Sequence, residues 1–343
     1  MMKPSVPGRA SALSSSRVWL GALASTALLA ACSTSSEPIE ASGAAESVQA
    51  QAEYPVTVAN CGNDLTIESE PETILSIGTS AVSLLDAAGA SDRIVARAGE
   101  FGADLPAGLE TPPTEAPIID SADPAIEVIV GTEADIIVGY GLFNASPEDV
   151  AATGLQNIVI DGECSHDAGL AGATDFEAIF SDVERLASVF GTTDAAEANL
   201  TDLRAELDEL TAAATSTGDG EQAAVVYYFS EDATMSARGG LGIANDVLAR
   251  AGFENVYGDE ASVYMEANIE TLLDADPHTV VVAYGLYGES FEDARANFES
   301  EPGVAELTAV QEGRVVGVPA SDLAPDPGAI QGLRTVLEGT GAL

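Results

Sequence analysis

Histidine occurs twice in this 343-residue chain, at His166 and His278, and tryptophan once, at Trp19. The single lysine is Lys3; lysine and arginine together number 12 against 56 acidic residues, for a formal charge of −44. Each shortage excludes some chemistry. With no basic patch to displace phosphate counterions, nucleic acid is excluded as a partner. Receptors for bare zinc or manganese need clustered imidazoles and carboxylates, which two isolated histidines do not supply. "SARGGLG" has the glycines of a phosphate loop, but no Gly-Lys-Ser/Thr follows, and beyond Lys3 there is no lysine for a Walker-type nucleotidase. No Gly-x-Ser-x-Gly elbow and no His-Glu-x-x-His occurs. The residues therefore point to no enzyme and no cofactor, although 56 carboxylates leave a carboxylate hydrolase open.

What is present begins with a leader. Lys3, Arg9 and Arg17 precede an apolar stretch, Val18 to Ala31, too short to span a bilayer comfortably. It ends in Leu29-Ala30-Ala31-Cys32, small residues before a cysteine, which fits a lipoprotein signal over 1–32 with Cys32 as the lipidated residue. A simple cleaved signal or a membrane anchor are the alternatives. Residues 33–52 are Ser/Ala/Glu/Gln-rich and read as a flexible tether. The working part is thus expected outside the cytoplasm, lipid-anchored to the membrane. There the remaining cysteines, Cys61 and Cys164, most simply form a disulfide. A thiol catalyst built on Cys164 and the nearby His166 is the sharper alternative, but a catalytic thiol needs an oriented base.

From Thr73 apolar strand-like runs alternate with helix-like runs: "TILSIG", "SAVSLLDAAG", "DRIVARAG", "ADIIVGYG", "QNIVIDG". This rhythm argues for a parallel sheet with covering helices. From Phe176 to about Thr215 the strand signal vanishes and two helices follow, the second with Leu200, Leu203, Leu207, Leu210 and Ala214 on one stripe. After "STGDGEQ" the strand–helix rhythm restarts. One phrase occurs in both blocks: "AIEVIVGTEADIIVGYG" (Ala125 to Gly141) and "NIETLLDADPHTVVVAYG" (Asn268 to Gly285), each opening on Ile-Glu and closing on Tyr-Gly. "SLLDAAGASDRIV" and "NDVLARAGFENVY" echo each other in the same order, so two lobes of similar topology are expected.

These phrases, with "YPVTVANCG" and "GGLGIANDVLARAGFENVYGD", resemble the substrate-binding lipoproteins of ABC importers for ferric siderophores, cobalamin and haem. The resemblance covers most of the chain from Tyr54 onward. It implies an α/β protein of two Rossmann-like lobes with mostly parallel sheets, joined by one long rigid helix, with the ligand cleft between them. The boundaries that follow are 53–192 for the N-terminal lobe, 193–217 for the connecting helix and 218–343 for the C-terminal lobe. It also implies a monomer that docks on an ABC permease dimer through one glutamate on each lobe, here Glu127 and Glu270. A glutamate in a helix's first turn is also favoured by the helix dipole alone.

Ligands of doubly wound sheets sit beyond the carboxyl ends of the strands. The residues found there are Arg97, Glu100 and Phe101 after "RIVA", Tyr140 with Phe143 after "ADIIVG", and Tyr228 or Phe229 followed by Met235 and Arg238 after "AVVYYFS". Tyr284 and Tyr287 follow "TVVVA", and Asp322 follows "GRVVGVP". Tyr264 stands where relatives often place an aromatic. An aromatic cleft with one or two arginines suits a ferric siderophore, bulky and partly apolar, delivered for iron uptake. Cobalamin or haem is the alternative; haem would take an axial Tyr or Met, whereas cobalamin relatives often rely on tryptophan and Trp19 lies in the leader. A non-transport surface lipoprotein is the reading from a different class.

Overall fold

The computed structural model describes residues 53–166, 172–214, 220–227, 235–267 and 269–343. Cys32, Tyr228 and Phe229 lie outside these residues.

A hairpin opens the described chain. Strands β1 (Val56–Asn60) and β2 (Asn63–Ile67) pair antiparallel with Asn60 opposite Asn63. The two residues between them, Cys61 and Gly62, both have positive φ, as the tightest hairpin turn requires. Cys61 is joined in a disulfide to Cys164, with Cα atoms 5.4 Å apart. Strands β3 (Ile74–Ile77), β4 (Ile94–Ala98), β5 (Ile118–Asp120), β6 (Ile136–Gly139) and β7 (Gln156–Val159) form a five-stranded sheet in the order β5-β4-β3-β6-β7, all parallel. Helices α1 (Thr79–Ala87), α2 (Ile126–Val130) and α3 (Pro147–Ala152) connect its strands. β3 and β6 are buried along their whole length, which is why they read as continuous apolar runs and not as alternation.

Helices α4 (Phe176–Phe190) and α5 (Thr193–Ala213) then lead to the second sheet. Its strands are β8 (Gln222–Tyr227), β9 (Ser236–Arg238), β10 (Glu254–Asn255), β11 (Tyr264–Glu266), β12 (Thr279–Tyr284) and β13 (Val315–Pro319). Helices α6 (Ile243–Arg250), α7 (Ile269–Ala275), α8 (Phe291–Ser300) and α9 (Thr308–Gln311) run between them, and α10 (Ala329–Gly339) closes the chain. Four strands align parallel in the order β10-β8-β12-β13, and β9 and β11 extend the other half of the β8 edge antiparallel.

The repeated phrase therefore has a topological meaning. The order β4-β3-β6-β7 in the first lobe matches β10-β8-β12-β13 in the second. α1 corresponds to α6, and α2 to α7. Each copy of the phrase is one helix and the central strand that follows it, and Glu127 and Glu270 both fall in the first turn of that helix.

Between the lobes lies the long helix α5, at the expected place, with α4 packed antiparallel beside it. α4 buries Phe176, Ile179, Phe180, Val183, Leu186 and Phe190 on one face, starts on an Asp175 cap that accepts from Ala178 N (2.8 Å), and stops at Gly191 in the left-handed conformation. Its first residue donates from Phe176 N to Asp246 Oδ2 of the second lobe (3.1 Å), while its last turn receives Tyr54 and Arg93 of the first lobe on the Val189 and Phe190 carbonyls. α5 runs back. Near its start Asn199 donates to Ala87 O of the first lobe (3.0 Å); further on Glu206 accepts from Gln331 and Arg334 of α10. Leu200, Leu207, Leu210 and Ala214 of the expected stripe are buried and Leu203 is partly so. One apolar core runs continuously from α1 through α4 and α5 to α6 and α10, behind both sheets, and each lobe has a smaller core on its other side. Hinge bending would shear that shared core, so a rigid frame is expected.

Candidate ligand cleft

The carboxyl ends of both parallel sheets face one cavity of about 400 Å³ between the lobes. The first lobe contributes Gly78 and Thr79 at the start of α1, Phe101 and Tyr140 beyond their strands, and Glu163. The second contributes Tyr227, Arg238, Tyr264, Tyr287 and the turn at 320–325. The edge of one ring meets the face of the other where Phe101 and Tyr287 reach across the gap, centroids 6.4 Å apart.

Two glycines make room for Tyr140. A side chain on Gly139 would fall 2.3 Å from the Ile77 carbonyl, so glycine lets β6 approach β3 just before the tyrosine. A side chain on Gly99, already at positive φ, would fall 2.2 Å from the Tyr140 hydroxyl. That hydroxyl is buried and has no hydrogen-bond partner among the described residues, and burial, followed by the charge of Asp123, pushes the phenol well above its ordinary pKa. Phe101 has φ +52, unusual for an aromatic, held by its N–H donating to Ser121 O (2.7 Å).

The second wall is organised around Arg238. Its guanidinium carbon lies 3.6 Å from the centroid of Tyr227 and 4.3 Å from that of Tyr264. Such stacking holds a cation without neutralising it. The other arginines of the described residues, Arg93, Arg97, Arg185, Arg204, Arg250, Arg295, Arg314 and Arg334, each have a carboxylate within 4.0 Å; Arg238 has none among the described residues. Tyr264 is hydrogen-bonded to Glu163, whose carboxyl is pushed up to about 7 by burial against the opposing pull of Arg238 and Tyr264.

The sequence profile of the periplasmic binding protein family matches residues 168–321. The chain is 24% identical over 278 residues to a cobalamin-binding protein of Halobacterium salinarum, covering 77% of this chain and 68% of that one. It is 20% identical over 331 residues to YvrC of Bacillus subtilis, an uncharacterised ABC transporter substrate-binding lipoprotein, covering 94% and 95%. A solved structure from an ABC-type Fe3+-hydroxamate transport system of Saccharomonospora viridis superposes with a TM-score of 0.73 at 25% identity, over 84% of this chain and all of that one. Residues 168–321 thus carry the sequence pattern of the periplasmic binding proteins, and the fold is that of a structure from an ABC-type importer. These relatives are named as binding proteins and not as enzymes. Such proteins work outside the cytoplasm with an ABC permease. No helix of the described residues is long and apolar enough to cross a membrane.

Within the cleft the sequence-selected residues divide. Phe101, Tyr140, Arg238 and Tyr264 line the cavity, as do Glu100, Phe143 and Tyr287. Arg97, Met235 and Tyr284 stand elsewhere. Arg97 is buried behind the wall, donating to Glu100 (2.9 and 3.2 Å) and to Ala116 O. Met235 is buried in the outer core of the second lobe, and Tyr284 packs on that core against Phe291, centroids 5.7 Å apart. Met235 and Tyr284 are thus oriented by the pleat away from the cleft. Tyr227 and Glu163 are not among the residues that sequence reasoning selects. The wholly apolar strand "AAVVYYFS" carries no alternation to say which tyrosine faces the ligand. Glu163 stands beyond the end of β7, where the strand-end rule applies, but its neighbour Cys164 draws the eye first.

Proposed function

We propose that this protein captures a ferric siderophore in the interlobe cleft and delivers it to a twofold ABC permease, tethered to the membrane through a lipid on Cys32. The observation that carries the reading is the cavity wall itself: aromatic rings from both lobes line it, and two of them, Tyr227 and Tyr264, stack on one arginine that has no carboxylate within 4.0 Å among the described residues. Rings supply contact area to a bulky, partly apolar complex, and the guanidinium edge supplies charge-assisted hydrogen bonds to its oxygens. The likeness to the Fe3+-hydroxamate transport structure supports this ligand. Cobalamin is the second reading, favoured by the name of the Halobacterium relative; no tryptophan beyond Trp19 is available to it. Glu127 and Glu270 serve as the two docking charges.

The test is a titration of the soluble form starting after Cys32. The ligands are ferric hydroxamates, catecholates and carboxylates, cobalamin and haem. Tyrosine fluorescence reports binding, since Trp19 is absent from this form, and thermal shift checks it. Saturable binding of a ferric complex at micromolar concentration or below is the expected outcome. Binding of cobalamin alone replaces the first reading with the second, and no binding by folded protein overturns both.

A further inference from the structure

We propose that Glu163 cancels the charge of Arg238 in the ligand cleft and so determines specificity, admitting uncharged or cationic ferric complexes and rejecting anionic ones. This inference rests on the siderophore reading and goes beyond it by naming the charge class of the ligand.

The argument starts from a count of charges in the cavity wall. Of the lining residues only Glu100, Glu163 and Arg238 are charged. Glu100 is neutralised from behind by Arg97, whose side chain is buried with it. Glu163 lines the same cavity as Arg238 and feels its charge, and it is linked to the same cluster through the Tyr264 hydroxyl. The described lining residues, with Arg97 behind them, therefore carry two cations and two anions; the buried carboxyls Asp322 and Asp326 beside that wall add negative charge and no cation. Around it the chain carries a formal charge of −44, a field that repels anions from every direction.

The cleft is nonetheless rich in donors. α1 and α6 both begin at its wall, at Gly78 and Gly242, and neither has a side-chain cap on its first turn. Their leading N–H groups, the edge of Arg238 and the buried Tyr140 hydroxyl all suit acceptor atoms on a ligand. A wall with many donors and no surplus of positive charge fits a ligand with many acceptor oxygens and no net negative charge. Iron(III) bound by three hydroxamates is such a complex: three monoanions cancel the metal charge. Iron(III) bound by three catecholates, each a dianion, keeps three negative charges. It would face Glu163 with only one guanidinium in its favour, inside a site where unscreened like charges are costly.

The experiment compares ferrichrome, which is neutral, ferrioxamine B, which is cationic, and ferric enterobactin, a trianion, at pH 8 and fixed ionic strength. Wild-type protein is expected to bind the neutral or cationic complex at least tenfold more tightly than the trianion. Glu163→Gln, which keeps the shape and the Tyr264 contact but removes the charge, is expected to tighten the trianion at least tenfold relative to ferrichrome. Raising salt should narrow the wild-type preference, an independent sign that charge causes it and one that needs no variant. A wild-type preference for the trianion, or a selectivity ratio unmoved by both Glu163→Gln and salt, overturns the inference and leaves the siderophore reading standing. Failure of folded wild-type protein to bind any of the three removes that reading and the inference together.

Discussion

Asp326 is a carboxyl group with no exposure to solvent, placed where the lobes meet behind the cleft. Gly328 N donates to its Oδ1 (2.7 Å), and the Ser80 and Ser83 hydroxyls of α1, from the other lobe, stand close to it. Burial outweighs these partners and pushes the carboxyl up to about 7. Asp182, on the buried face of α4, is pushed up to about 6 by the same cause. An acid whose folded pKa exceeds its unfolded value favours folding while protonated. That stability is fully present below the ordinary carboxylate range and is lost as pH rises through 6 to 7. We expect urea unfolding to give a higher midpoint at pH 5 than at pH 8. Each tenfold change in proton affinity is worth roughly 1.4 kcal/mol, so the two groups together make a difference of about 2–4 kcal/mol. Asp326→Asn should remove much of it. A flat profile, or an unchanged slope in Asp326→Asn, would contradict this placement of the charge. Nothing in the sequence flags Asp326. "ASDLAPDPG" contains two aspartates, both buried, and only packing across the lobes decides that Asp326 is the one shared with α1. Arg97 is the opposite case: it looks like a ligand group because it follows a strand, but its partner Glu100 is three residues away and both are enclosed.

At the scale of elements, the repeated phrase is the most legible feature, because helix, glycine and central strand each leave a distinct residue pattern that survives in both halves. The paired connector is not legible as such. The helix of α4 shows plainly in "DFEAIFSDVERLASVF", but its attachment to both lobes depends on Asp246, Tyr54 and Arg93, each far away in sequence. The β1–β2 hairpin poses a similar question, since Val58 and Ile67 anchor it in the shared core but its polar ties reach far along the chain. Asn60 exchanges hydrogen bonds with the β7 edge, donating to Asn157 O (3.0 Å) and accepting from Val159 N (2.8 Å). Arg185 of α4 donates to Ala59 O (2.6 Å). The Cys61–Cys164 bond adds a covalent tie across a sequence separation of 103. Closing a loop of that length restricts the unfolded chain strongly, and loss of such a bond costs about 2–5 kcal/mol. The double variant Cys61→Ser/Cys164→Ser should therefore unfold at clearly lower urea while keeping native circular dichroism, since the hydrogen bonds still seat the hairpin. An unchanged midpoint would mean that these hydrogen bonds alone fix it.

At the scale of the whole molecule, the matched strand orders make the two lobes topological copies that face one cleft. In each lobe the helix before the central strand runs against that strand, so its first turn lies at the edge where the ligand enters. Glu127 and Glu270 occupy those first turns, and both are exposed. A twofold partner could then meet the same charge twice, at equivalent places, while covering the mouth of the cleft. Charges at such a rim set register and association rate more than total affinity. We therefore expect Glu127→Arg and Glu270→Arg each to slow association with the permease at least tenfold at low salt, the double variant to lose productive docking, and all three to bind ligand as wild type does. The measurement is association of the loaded protein with permease in lipid nanodiscs, alongside the tyrosine-fluorescence titration. If one glutamate matters and the other does not, the repeat reflects only shared ancestry of the lobes and not a twofold contact. If neither matters, each carboxylate serves merely to favour its own helix N-terminus, and the docking charges lie elsewhere among the many on this acidic surface.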